Sequence, residues 1–180
     1  SAVLQSLADH PNSQMQFKLL QSKIQNKNDL WAPFTDDLAA FSENDYQRLK
    51  PLILEQSVPD IQQAVVAGQI SYAALTTFYI YRIREIETNS NLSLNAVIAL
   101  NPDAIRRAQR LDRLRDAGNE IALDSIFGIP VLLKDNIGFE GLATTAGSLS
   151  LQSNYTASAF LTEKLEVNGA IILGKANMSE

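Results

Sequence analysis

Residues 130–137, with the sequence PVLLKDNI, decide the fold of this chain. The apolar run at 130–133 is typical of a strand that is buried on both faces, as in a parallel sheet. Lys134 ends the run, and burial of an ammonium group disfavours its charged form. A neutral lysine amine can accept a proton, so Lys134 is a candidate general base. The alternative is a strand-end lysine whose head group lies in water or pairs with Asp135.

The composition indicates a globular protein with one ordinary core, because 46% of the 180 residues are hydrophobic. The chain has no cysteine, which excludes disulfides and thiolate chemistry and leaves the compartment open, with a cytoplasmic location favoured. A net charge of -5 argues against a general nucleic-acid or anionic-membrane binder. No apolar run is long enough to span a bilayer, and residues 1–10 lack the pattern of a signal peptide.

The spacing of apolar residues before residue 88 predicts helices. Phe17, Leu20 and Ile24 have the spacing of one helix face, and we assign residues 1–56 to an N-terminal helical arm. The apolar stretch 30–34 interrupts this pattern and needs a surface to pack on. Ser71 is expected to begin the strongest helix of the chain.

The starts and faces of the later helices can also be read from side-chain spacing. Ser42 with Asp45, and Ser57 with Asp60, have the spacing of capping boxes that open two helices, the first of which Pro51 should end or kink. In the helix after Ser71, the expected apolar face is formed by Leu75, Tyr79, Ile83 and Ile86.

From residue 88 onwards the pattern alternates strands and helices. Residues 94–100 predict a first strand, residues 101–103 begin a helix that ends near Gly118, and residues 129–133 predict a second strand. A helix from Ser158 to Asn168 leads to a third strand at 170–173. The last two strands and the helix between them predict a parallel crossover unit. The fold class is therefore α/β, with an N-terminal helical portion followed by the start of a mixed, largely parallel sheet covered by helices.

Three blocks of sequence resemble the amidase signature family and occur in that family's order. They are GIPVLLKDNI at 128–137, TTAGS at 144–148 and GAIILGKANMSE at 169–180. The resemblance covers residues 94–180 well and residues 57–90 loosely, and it does not extend to residues 1–56. It implies that residues 57–180 are the opening part of an amidase-like α/β/α domain that continues beyond the chain end.

In that family, the lysine at the position of Lys134 belongs to a Ser, cis-Ser, Lys triad that hydrolyses amides through an acyl-enzyme. The resemblance implies that both serines lie downstream of Glu180, so Lys134 is the only expected catalytic residue in this sequence. It implies that the chain is the N-terminal part of a hydrolase that cleaves a carboxamide C–N bond without a cofactor or metal. The 180-residue chain alone is expected to be inactive. The expected partners are a small-molecule or peptide amide and the complementary C-terminal part of the same protein, with a homo-oligomer possible. Nucleic acid and membrane are not expected partners.

Several other residues carry competing interpretations. Ser158 stands where family members usually carry an aspartate, and serine caps a helix equally well. Ser148 is interpreted as a turn former rather than a nucleophile, because no histidine lies near it in sequence and His10 is the only histidine. One helix carries a stripe of arginines, which either contacts RNA or is a solvated face balanced by nearby aspartates, and we favour the second reading. The stripe consists of Arg106, Arg107, Arg110, Arg113 and Arg115.

Two other functions remain open from the sequence. One is the amidase-like subunit of a tRNA-dependent amidotransferase, which works in a complex. The other is a non-catalytic binding or scaffold domain in which the lysine motif is only structural.

Overall fold

The computed structural model describes residues 11–12, 27–89 and 91–178. The helix predicted around Phe17, Leu20 and Ile24 lies outside these residues, as does His10. The described chain begins with a helical layer of five helices and one 3-10 turn. These are α1 (Asn28–Trp31), the 3-10 turn Ala32–Phe34, α2 (Thr35–Ala40), α3 (Glu43–Ile53), α4 (Val58–Val66) and α5 (Tyr72–Thr88).

Both predicted capping boxes are present. The side chains of Ser42 and Ser57 accept hydrogen bonds from the backbone three residues on, and the aspartates there bond back to the serine backbone. Pro51 does not end α3, which continues to Ile53. A proline lacks only its own N–H, and Leu54 still donates to the carbonyl of Lys50, so the last turn of α3 closes without it.

The apolar stretch at 30–34 finds the partner surface that its composition requires, because Trp31 and Phe34 are buried in the main core. This brings α1 into the same core as α5. The division of the chain at residue 56 stays a prediction.

Helix α5 is buried over more of its circumference than the predicted single face. Leu75 is fully buried, but Tyr79, Ile83 and Ile86 are only half-buried. Phe78 and other residues outside the predicted face are buried instead, because α2, α3 and α6 pack around α5. A helix enclosed by neighbours loses the one-sided pattern that a surface helix shows.

The second half of the chain forms a three-stranded mixed sheet with the order β1-β3-β2, which confirms the α/β prediction. Strand β3 pairs with β2 in parallel and with β1 in antiparallel orientation. The elements are β1 (Val97–Leu100), α6 (Ala104–Asp116), β2 (Pro130–Lys134), the 3-10 turn Leu149–Leu151, α7 (Phe160–Val167) and β3 (Ile171–Ala176). No helix in the described parts of the chain is both long and apolar enough to cross a bilayer.

Several element boundaries differ from the predicted ones for local reasons. Strand β1 begins at Val97, and Leu94 is exposed rather than part of the strand. Asn101 does not cap α6 directly. Its side chain accepts a hydrogen bond from the backbone N–H of Asp103, which forms a turn that precedes the helix. Both β2 and β3 extend further than predicted and include a lysine.

Helix α7 begins at Phe160, so Ser158 is not its cap. The hydroxyl of Ser158 instead accepts a hydrogen bond from the backbone N–H of Glu140, at 3.2 Å. Leu161 is half exposed, and Thr162 is the buried residue of this helix.

Both faces of β3 are covered. Ile171 and Leu173 belong to the main core, which the helices α1 to α6 complete. Ile172 belongs to a smaller cluster with Leu133, and Leu165 of α7 packs against that cluster. Successive strand residues point to opposite faces, so the two clusters lie on opposite sides of the sheet.

A β-bulge in β3 changes this alternation. Val131 and Leu132 are consecutive on β2, but their partners Ile172 and Gly174 on β3 are two residues apart. An extra residue in one strand shifts the side-chain alternation beyond it by one position. Lys175 therefore points to the same face as Ile172, away from the main core.

Candidate active site

Lys134 is the last residue of β2, at the carboxyl end of the sheet's parallel pair. Its side chain is half-buried, and its Nζ donates a hydrogen bond of 2.6 Å to the backbone oxygen of Asn177, just after β3. No ion pair joins Lys134 to Asp135 in the part of the chain that the structure describes. Of the predicted alternatives, pairing of the two neighbours is therefore wrong.

Asn177 is itself fixed by three hydrogen bonds. Its backbone N–H donates to Ala96 at 2.8 Å, and its Nδ2 donates to the carbonyl of Asn95 at 2.9 Å. Its Oδ1 accepts the backbone N–H of Met178 at 2.8 Å. The carbonyl that binds Lys134 thus has a defined position, set by the segment that leads into β1.

Asp135 is buried, with 1% of its surface exposed, and it binds residues 144–148, which we call the threonine turn. One carboxylate oxygen accepts hydrogen bonds from the hydroxyl of Thr145 and from the backbone N–H of Gly147, the latter at 3.0 Å. The backbone oxygen of Asp135 accepts the N–H of Ala146 at 3.2 Å. The carboxylate is therefore directed at the turn and not at Lys134.

The threonine turn has two successive residues with positive φ. Ala146 has a φ of +48° and Gly147 a φ of +72°. A positive φ at alanine is costly, and it persists only where the surroundings enforce it. A side chain at Gly147 would lie 3.3 Å from the Cβ of Met178, so the turn packs closely against the segment that binds Lys134.

Ser148 is the N-cap of the short 3-10 turn that follows. Its hydroxyl accepts a hydrogen bond from the backbone N–H of Ser150 at 3.3 Å. This contact agrees with the interpretation of Ser148 as a turn former.

Lys175 is a residue of this site that the sequence interpretation missed. It is fully buried on β3, and its Nζ donates to the backbone oxygen of Ile137 and, at 3.2 Å, to the hydroxyl of Thr144. Burial lowers the pKa of the Lys175 ammonium below its usual range, while the Asp135 carboxylate acts in the opposite direction. The signal was present in the sequence, because Lys175 ends an apolar run just as Lys134 does.

Two arginines of α6 pair with acidic residues, and a third, Arg107, donates to the backbone oxygen of Glu166. Arg106 pairs with Asp103, and Arg115 approaches both Asp112 and Asp116. These contacts agree with the solvated-face interpretation of the stripe. Within the described residues, no group of three or more histidine, aspartate or glutamate side chains has the arrangement of a metal site.

Comparison with known proteins supports the resemblance seen in the three sequence blocks. The Amidase family profile matches residues 74–180. A probable amidase of Arabidopsis thaliana is 39% identical over 130 residues, which are 71% of this chain and 25% of that protein. A glutamyl-tRNA(Gln) amidotransferase subunit from Thermoanaerobacter pseudethanolicus is 35% identical over 127 residues, which are 69% of this chain and 24% of that protein. The chain thus spans about a quarter of the length of these relatives.

Solved structures show the same fold. An amidase family protein from Bacillus anthracis superposes with a TM-score of 0.77 at 31% identity, over 87% of this chain and 30% of that one. A peptide amidase from Stenotrophomonas maltophilia superposes with a TM-score of 0.64 at 41% identity, over 71% of this chain and 26% of that one.

Proposed function

The chain belongs to the amidase family, and from this premise we propose that Lys134 is the general base of an amide-hydrolysing enzyme. The observation that carries the proposal is the environment of its Nζ. The amine lies at the carboxyl ends of the parallel strands, where α/β folds bind their ligands, and it contacts a neutral carbonyl rather than a carboxylate. A neutral amine has two N–H bonds and one lone pair. Donation of one N–H to Asn177 orients the group and leaves the lone pair free to accept a proton.

The proposed proton path uses two serines from sequence beyond Glu180. Lys134 accepts a proton from a bridging serine, which in turn takes the proton of the nucleophilic serine. The nucleophilic oxygen then bonds to the amide carbonyl carbon, the C–N bond breaks, and the amine leaves with the transferred proton. Water hydrolyses the resulting ester, which releases the acid and restores the serine.

For the substrate we propose a linear carboxamide, and similarity to the Stenotrophomonas peptide amidase favours a peptide amide. We expect hydrolysis by the full-length protein to release ammonia from C-terminally amidated peptides. A panel of amidated peptides and small primary amides tests this choice directly. Turnover of the small amides alone would contradict the peptide assignment.

The decisive variants are Lys134→Ala and Lys134→Arg in the full-length protein. Both should lower turnover at least about 100-fold, because removal of a general base costs about 10²–10⁴ in rate and a guanidinium stays protonated. Activity of the wild type should increase with pH, because a general base acts only in its unprotonated form. Lys164→Arg is the matched control, since Lys164 is exposed on α7. A folded Lys134→Arg enzyme with near wild-type turnover would end the base assignment.

We also predict that the 180-residue chain alone does not hydrolyse amides. It supplies a base but neither serine, and removal of one member of such a unit removes most of its rate. Amide hydrolysis by the purified chain that is abolished by Lys134→Ala would contradict this.

The second candidate is a component of a tRNA-dependent amidotransferase, which the 35% identity to the Thermoanaerobacter protein favours. Such a component would require partner proteins and charged tRNA for its product to form. Glutamine-dependent amidation of glutamyl-tRNA, absent with the protein alone and present with its partners, would decide for this candidate. Hydrolysis of free amides without any partner decides for the amidase.

A further inference from the structure

Two opposite charges are buried beside Lys134. Lys175 is 0% exposed and Asp135 is 1% exposed, and no direct ion pair joins them within the described residues. The threonine turn lies between them. Lys175 donates to the hydroxyl of Thr144, and the hydroxyl of Thr145 donates to Asp135.

Such burial requires compensation. A charge removed from water costs several kcal/mol unless an opposite charge and hydrogen bonds offset it, and otherwise the group becomes neutral. The attraction of Asp135 acts on Lys175 in the direction that keeps the ammonium charged. Each of the two groups therefore provides the other's missing counter-charge.

On the basis of the function proposed above, we propose that Lys175 is a positioning residue whose ammonium balances the Asp135 carboxylate. Together the two charges fix the threonine turn against Asn177, the residue that binds the Lys134 amine. Gly147 connects the turn to that segment, because its N–H donates to Asp135 and its backbone packs against Met178, the neighbour of Asn177.

The balance matters because Asp135 is the immediate neighbour of Lys134. A carboxylate without a counter-charge would stabilise the Lys134 ammonium and oppose its role as a base. A charged Lys175 opposes this effect of the Asp135 carboxylate.

Other charged groups around the site are few. The segment from Lys134 to Ser148 contains only Asp135 and the exposed Glu140 as acids, and residues 95–100 carry no charge. The backbone of residues 95 and 96 binds the buried Glu87, but that carboxylate is paired with Lys27. Among the elements packed on β3, Arg107 of α6 and Glu166 of α7 line a cavity with Ala170, at the opposite end of the strand. The balance at Lys134 is therefore assigned to Asp135 and Lys175.

The test uses the full-length protein and a fluorophosphonate probe that captures the nucleophilic serine. The labelling rate is measured against pH, well below the melting temperature of each variant. Lys175→Met should lower the rate about tenfold and move its rise to higher pH by about one unit, because Asp135 then acts unopposed. Asp135→Asn should move the rise to lower pH, and the double variant should return it towards the wild-type position.

Lys164→Met is the matched control, because it removes an exposed lysine by the same substitution and should change neither rate nor pH dependence. A purely structural role for Lys175 would lower the melting temperature without moving the pH dependence in opposite directions. Folded Lys175→Met and Asp135→Asn proteins with the wild-type pH dependence would overturn the proposal.

If Lys175→Met does not fold, Thr144→Val and Thr145→Val test the same link, since they remove the hydroxyl contacts and keep both charges. They should lower the labelling rate without moving its pH dependence, and unchanged rates would overturn the proposal. Failure of the proposed function gives a different result. In that case the wild type is not labelled, or its labelling does not depend on Lys134.

Discussion

Glu87, near the end of α5, is a buried carboxylate that connects three parts of the chain. It accepts hydrogen bonds from the Nζ of Lys27 at 2.7 Å, the hydroxyl of Ser93 at 2.9 Å, and the backbone N–H groups of Asn95 at 3.0 Å and Ala96 at 2.6 Å. Residues 95 and 96 also bind Asn177. A carboxylate on the helical layer thus supports the residue that contacts the Lys134 amine.

The pKa of Glu87 predicts how this support depends on pH. Desolvation raises the pKa of Glu87, but the hydrogen bonds from Lys27, Ala96 and Ser93 outweigh it and hold the pKa below its ordinary value. A lowered folded-state pKa means that the carboxylate stabilises the protein above the unfolded-state pKa of about 4.3. The stabilisation is lost as the pH falls through the lower folded-state value.

We therefore expect Glu87→Gln to lower the free energy of unfolding by about 2 kcal/mol at pH 7, because charge-assisted hydrogen bonds are replaced by weaker ones and an amide group meets other donors. The difference from wild type should shrink towards pH 3. Urea unfolding at both pH values measures it. Glu85→Gln, on the exposed side of the same helix, should cost little, and an equal loss there would contradict the assignment.

At the scale of elements, the first turn of α5 is capped twice: the hydroxyl of Ser71 accepts the backbone N–H of Ala74 at 3.0 Å, and another helix supplies a second acceptor. The carboxylate of Asp112 on α6 accepts the backbone N–H groups of Tyr72 at 2.8 Å and Ala73 at 2.9 Å, in the first turn of α5. The group is buried and lies 3.2 Å from Arg115. A negative charge at this end of a helix also complements the helix dipole.

We expect Asp112→Ala to lower the free energy of unfolding by about 2–3 kcal/mol, because it leaves one buried and one half-buried N–H donor without partners. Asp116→Ala, four residues further along α6 and exposed, is the matched control and should stay within about 0.5 kcal/mol of wild type. The denaturant midpoints of the two variants measure the difference in their stability. Equal effects would mean that the general acidity of α6 matters rather than this cap.

These contacts also explain which elements were predictable. The boxes at Ser42 and Ser57 are local, since both partners lie three residues apart, so their helices could be read from the sequence. The cap from Asp112 and the bulge in β3 depend on neighbours distant in sequence, and no local pattern encodes them. Lys134 could be proposed from the sequence because its motif is continuous, whereas the contact of Lys175 with the threonine turn depends on the bulge in β3.

At the scale of the whole molecule, α7 and β2 are covered on one side only by the described parts of the chain. Helix α7 packs Thr162 and Leu165 inward, but Phe160 and Val167 are 74% and 83% exposed. Strand β2 lies at the edge of the described sheet, where Leu132 is 38% exposed. Exposed apolar side chains beside an unpaired parallel strand are typical of a surface that another part of a protein covers.

We infer that the covering part is the remainder of the same domain, since the chain spans about a quarter of its relatives' length. Expressed alone, the 180-residue chain should self-associate, bind a hydrophobic dye or require a complementary fragment. The double variant Phe160→Glu with Val167→Glu should reduce dye binding and association measured by sedimentation. Leu94→Glu, equally exposed but in the loop before β1, should change neither. A sharply unfolding, dye-negative monomer would show that the domain boundary lies elsewhere, because this surface would then be stable in water.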